Sequence, residues 1–192
     1  MTGLVELDLG RNNIKQIFDN HEMSKLLLQH GKLKNKQPLQ CFENLKIHDL
    51  SANKLTILPT ELDCLHLEDL NLMNNLIETI PVSFFTTSNL RTHLRRLLLN
   101  QNPLRELDFK IKELGKLEVL GIAMTQITKL PSSIASIKSL REIYVKDTPL
   151  KTPKLALAMR GINAIREFFN QNEDDADEEI EETGKTKQSP EE

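Results

Sequence analysis

The chain has no tryptophan, one tyrosine and seven phenylalanines in 192 residues. So few rings exclude an aromatic-rich centre, and the core is expected to be aliphatic. Only two cysteines are present, Cys41 and Cys64. They cannot build the disulfide framework of a small secreted domain, so a reducing, cytoplasmic setting is expected. Seven glycines and eight prolines exclude collagen-like and low-complexity chains. No apolar run approaches the ~18 residues that a membrane span needs. The opening Met-Thr-Gly-Leu-Val-Glu-Leu lacks the charged-then-apolar layout of a signal peptide, and none is expected. What remains is a chain 39% apolar and 28% charged, enough for one domain with a sizeable core.

The formal charge of −3 hides a split. Residues 173–192 hold ten acids and two lysines, a net of −8, which leaves +5 on residues 1–172. The run Glu-Asp-Asp-Ala-Asp-Glu-Glu-Ile-Glu-Glu at 173–182 is expected to be a disordered, solubilising tail. It could also attract a basic partner or brush over the protein's own basic surface.

The rest of the chain repeats itself. Leu67, Leu70, Leu72, Asn75, Ile77, Ile80 and Pro81 fit the frame L-x-x-L-x-L-x-x-N-x-L-x-x-L-P. The same frame starts at Leu4, Leu45, Leu94, Leu117 and Leu140, and from Leu45 onward the starts are 22, 27, 23 and 23 residues apart. The L-x-x-L-x-L part reads as a short strand with its leucines turned inward. One turn of chain cannot bury its own leucines, but a parallel stack buries them in one continuous core. The Asn column, Asn12, Asn53, Asn75 and Asn102, stands where the chain leaves each strand. There a side-chain amide can satisfy backbone groups that would otherwise be buried unpaired. Thr125 and Thr148 replace Asn in the last two copies and can do this only in part.

These residues resemble the leucine-rich-repeat family over roughly Leu4 to Gln171. The ~23-residue unit with its Leu-Pro step is similar to the intracellular branch, which includes the Ras-group proteins of plants and the Ras-pathway scaffolds of animals. The resemblance implies an α/β leucine-rich-repeat solenoid, curved, with parallel strands on the concave face and irregular or helical chain on the convex side. Residues 1–152 would hold six repeats, residues 153–172 a C-terminal capping helix, and residues 173–192 the tail. The cap reads as a helix opened by Thr152-Pro153, with Leu155, Met159, Ile162, Ile165 and Phe169 on one face.

Two features depart from the frame. The step from Leu4 to Leu45 is 41 residues, which implies an insertion at about 19–43 containing Lys32, Lys34 and Lys36. A tolerated surface loop is the plain reading, and a contact loop the functional one. The first repeat also begins with no capping element before it. Its leucine layer and strand edge are therefore expected to be open. The chain would then be a fragment of a longer array, or would pack at that end on another chain.

Outward positions of the strands form columns. The first runs Lys46, Glu68, Arg95, Glu118, Arg141 with alternating sign. Like positions on adjacent strands are about 4.8 Å apart, so these residues can pair as a charge ladder. The next columns are acidic at one end, with Glu6, Asp8, Asp49 and Asp69, beside Asn71, and Asp49 and Asn71 are read as part of the protein-binding face. At the other end Arg96, Leu98, Val119, Met124 and Tyr144 gather apolar, arginine and tyrosine side chains, the composition of a protein-binding centre.

Catalysis finds no support. There is no phosphate-binding glycine loop, no nucleophile elbow and no H-E-x-x-H. His48 takes a core leucine's place, and His66 and His93 occupy equivalent positions one unit apart with no third ligand beside them. No cofactor, no metal, no nucleic acid and no membrane are expected as ligands. The expectation is a non-enzymatic interaction module that binds a protein through its concave face, with a small GTPase, kinase or phosphatase component as possible partner. The alternatives are a regulatory or targeting subunit of an enzyme such as a protein phosphatase, or a piece of a longer repeat protein with a separate catalytic domain.

Overall fold

Six three-residue strands lie side by side in chain order in the computed structural model, which describes residues 6–14, 46–58, 66–86 and 88–172. They are β1 (Glu6–Asp8), β2 (Ile47–Asp49), β3 (Asp69–Asn71), β4 (Arg96–Leu98), β5 (Val119–Gly121) and β6 (Glu142–Tyr144). Every neighbouring pair is parallel and in one register. The expected insertion at about 19–43, both cysteines, His21, His30 and the tail at 173–192 lie outside the described residues.

The strand is short because the leucine spacing supports only one L-x-L pair of inward positions before the chain must turn. Leu70, Leu97 and Leu120 occupy the middle of their strands, and Leu72, Leu99 and Ile122 follow just outside; all are buried. The ladder continues past the strand ends: Leu72 N–H donates to Leu98 O at 2.8 Å and Leu99 N–H to Gly121 O at 2.7 Å. Two residues further on, the chain reverses through a residue of positive φ in every repeat: Arg11, Ala52, Asn74, Gln101, Met124 and Asp147, with φ between 52° and 58°. This left-handed residue turns the chain while keeping its amide in the stack, as Ala52 N–H donates to Met73 O and Asn74 N–H to Asn100 O, both at 2.9 Å.

The next residue is the Asn or Thr of the frame. Asn75 donates to Leu50 O of the repeat before it at 3.0 Å and to Leu72 O of its own at 3.1 Å, and its Oδ1 accepts from Leu55 N–H at 3.0 Å. Asn53 and Asn102 make the same three bonds one repeat away on either side. Each buried amide thus joins two turns of the stack. Thr125 and Thr148 donate to the carbonyls of Ile122 and Val145 in their own repeats, at 2.8 and 2.7 Å.

On the far side the 23-residue repeats close with a five-residue 3-10 helix, η1 (Phe109–Glu113) and η2 (Ser132–Ser136). The longer repeat from Leu67 instead carries two helical pieces, α1 (Val82–Thr86) and α2 (Ser88–His93). This corrects the purely aliphatic core: α1 buries Phe84 and Phe85, their rings edge to face at 5.5 Å. At the front, Leu9 and Ile14 are buried too, so this part of the first layer is not open to water as expected.

The capping segment differs from the single helix expected at 153–172. It is two helices, α3 (Leu155–Ala158) and α4 (Ile162–Gln171), broken at Gly161 with φ 98°. The break resets the helical phase, so Met159 is exposed rather than sharing the inward face. Ala158, Ile162 and Ile165 join the core, and Arg166 fastens α4 to the last turn by donating to Ile137 O at 2.7 Å and Leu140 O at 2.9 Å.

Candidate functional site: the outer face of the sheet

The outward side chains divide into three zones. The first is the charge ladder at the residue just before each strand. Lys46 binds Glu68 at 2.7 Å, Arg95 reaches Glu68 at 3.9 Å, and Arg95 also pairs with Glu118. The hydrogen bond from Lys46 holds the Glu68 carboxyl below its ordinary range; the Lys46 and Arg95 charges add to this and partial burial opposes it. The expected pairing therefore forms from Lys46 to Glu118. It does not extend to Arg141, which makes no ion pair among the described residues. Each of these half-exposed pairs contributes at most about 1 kcal/mol, so the ladder sets register more than stability.

The second zone is a hollow of about 170 Å³ lined by Glu6, Asp8, Asp49, Asp69, Asn71, Arg96 and Leu98. Two of its acids cap turns: Asp8 Oδ1 accepts from Gly10 N–H at 2.8 Å, and Asp49 Oδ1 from Ser51 N–H at 2.7 Å. Asn71 does the same for Met73 N–H at 3.1 Å and donates to Asp49 Oδ2 at 3.1 Å. Asp49 and Asn71, read in the sequence as binding residues, are thus already held by the fold. Asp69 is the exception. Burial pushes its carboxyl above the ordinary range; Arg96, 3.7 Å away, pulls it down and Asp49 pushes it up.

The third zone covers β4–β6. Tyr144 stands 45% exposed, its hydroxyl donating to Glu142, a bond that raises the phenol above its ordinary pKa. Arg96 is exposed and Val119 half-buried beside it on the next strand. Met124 is 52% exposed, but it sits in the left-handed turn after β5, where its sulfur accepts from Gln101 Nε2 at 3.6 Å.

Leu98 departs from the expected exposed anchor. It is only 6% exposed, because Gly121 on the next strand leaves room for it to lie flat. A Cβ on Gly121 would come within 3.0 Å of Leu98 Cδ2 and 2.7–2.8 Å of the Asn100 amide atoms. Asn100 itself accepts from Ala123 N–H at 2.8 Å and closes the surface there. Leu98 is therefore a floor under the face.

Elsewhere, the rings of His66 and His93 meet edge to face at 4.7 Å. Among the described residues no group of three or more His, Cys, Asp or Glu side chains could hold a metal ion. No described helix is long and apolar enough to cross a membrane.

Known structures share this architecture. A repeat protein of Leptospira interrogans superposes with a TM-score of 0.63 at 28% identity, over 84% of this chain and 36% of its own. The fold is a leucine-rich-repeat solenoid. An internalin of Listeria monocytogenes has the same leucine-rich-repeat fold, with a TM-score of 0.55 at 20% identity over 76% of this chain and 35% of its own. In sequence the chain is 31% identical over 139 residues to podocan-like protein 1 of Mus musculus. That match takes in 66% of this chain and 24% of the relative, so the chain spans about a quarter of that protein's length. No family model matches the chain.

Proposed function

We propose that this leucine-rich-repeat solenoid is a non-catalytic adaptor or regulator of intracellular signalling, of the Ras-group type, which holds a protein partner against the outer face of its sheet. Leucine-rich-repeat proteins generally mediate protein–protein interaction, and the observation that carries the reading to this face is one juxtaposition. Arg96, Val119 and Tyr144 lie on three successive strands, none in the buried core, over a floor made by Leu98 and Gly121. A tyrosine and an arginine around a small apolar centre are the side chains that dominate protein interfaces. The acidic hollow beside them would attract the basic end of an approaching partner and orient it. The cytosol is proposed as the setting because two cysteines alone make no extracellular framework.

The test is affinity capture with the full chain and with the double variant Arg96→Glu/Tyr144→Ala. Both side chains are exposed, so the circular dichroism should stay as in the wild type, and loss of the Arg96–Asp69 pair should lower the stability by no more than about 1 kcal/mol. Partners retained by the wild type should be lost from the variant. Unchanged retention would move the binding surface off this face.

A further inference from the structure

The convex side carries a feature that a concave binding site does not use. Phe109, the first residue of η1, is 54% exposed, an unusual place for one of only eight aromatics in the chain. Two lysines flank it, with Lys110 Nζ 5.1 Å and Lys112 Nζ 5.9 Å from the ring centroid. Neither ammonium makes an ion pair among the described residues, whereas nearby Arg91 and Arg105 are paired with Glu113 and Glu78. Val82 occupies the equivalent place in the preceding repeat and is exposed as well. The patch is therefore an apolar spot ringed by free positive charge.

The chain itself contains the complement. Ile180 is the one large apolar residue between positions 173 and 182, and it is bracketed by Glu178, Glu179, Glu181 and Glu182. We infer that the acidic segment 173–182 docks back onto η1, with Ile180 against Phe109 and its flanking carboxylates on Lys110 and Lys112. The reach is sufficient. The helix α4 ends at Gln171 and packs on η2, which packs on η1. At helix-packing distances of 8–10 Å, η1 lies within about 20 Å of α4. Eight extended residues, 173–180, span about 26 Å. Tethering supplies an effective concentration in the millimolar range, so even a weak contact of this kind is populated. Its charged part is screened by salt. Such docking would keep the −8 tail off the concave face and shield the lysines of η1 from acidic competitors.

The test is lysine acetylation of the full chain, read residue by residue by mass spectrometry at low and at about 0.5 M salt, where the Debye length shrinks to a few ångströms. Three full-length proteins are compared: the wild type, a tail variant with the eight acids of 173–182 changed to their amides, and Phe109→Ser. Lys110 and Lys112 should react about threefold or more slowly in the wild type at low salt, the size expected of a weak tethered contact. Both variants and high salt should abolish the protection. The protection should not change on dilution. Equal rates in the wild type and the tail variant would overturn the inference. So would protection that falls instead on Lys154 beside the cap, or that appears only at high protein concentration.

Discussion

At position 48 the stack carries an imidazole where β3, β4 and β5 carry leucine. His48 is fully buried and, among the described residues, neither ring nitrogen has a hydrogen-bond partner. Burial pushes its pKa from 6.5 down to about 4, against the opposing pull of the Asp49 carboxylate. The unfolded chain binds a proton near pH 6.5 and the folded one near pH 4, so between these values the unfolded state holds more protons. Stability is therefore complete above pH 6.5 and falls as the pH drops through this window, by roughly 3 kcal/mol in all. His48→Leu should flatten that dependence and raise neutral stability by about 1–3 kcal/mol, the cost of unsatisfied buried polar groups. Urea midpoints at pH 7 and pH 4.5 check both points. Parallel losses in wild type and variant would show that another group senses the acid. The Asn ladder belongs to the same scale. Asn75→Ala leaves the Leu55 amide unpaired and removes one of the two amide donors at each of Leu50 O and Leu72 O, and should cost about 1–3 kcal/mol by the same measurement.

The element that makes each repeat work is the left-handed residue between strand and ladder. Across six repeats it is Arg, Ala, Asn, Gln, Met and Asp, never glycine. Met124→Gly should relieve the Cβ clash at φ 56° and, after the added freedom of the unfolded chain, gain up to about 1 kcal/mol in a denaturant melt. Met124→Val should lose about that much, since β-branched residues tolerate this region poorly. These turns also show where sequence reading stops. The inward and outward columns were legible because a period of two within the strand was repeated at a fixed frame in six copies. The Asn and Thr column was legible for the same reason, down to the poorer reach of Thr125. The turn was not, since no glycine marked it. The cover on Leu98 was not legible either, because it depends on a missing side chain at Gly121, 23 positions later. The break at Gly161 is absent from the single-helix reading of 153–172, although a glycine inside a helical pattern is the one signal that marks it. The buried Phe84 and Phe85 follow from the one 27-residue repeat, whose extra chain forms α1 and α2.

The described residues form a stack with one core cluster from Leu9 to Ile165, with different chemistry on its two sides. The convex side is helical and carries the lysines of η1. The concave side has a register-setting ladder, an acidic hollow partly used by turns, and a small apolar face flanked by Arg96 and Tyr144. A protein partner held on this last face would lie against Val119. The most direct measurement places a photo-cross-linking amino acid at Val119 on the sheet, and separately at Ser136 on the convex η2, and identifies what each captures. Position 119 should yield a discrete protein adduct that Arg96→Glu/Tyr144→Ala abolishes, and position 136 none. An adduct from position 136 alone, or an adduct at 119 that survives the double variant, would contradict a partner on that face.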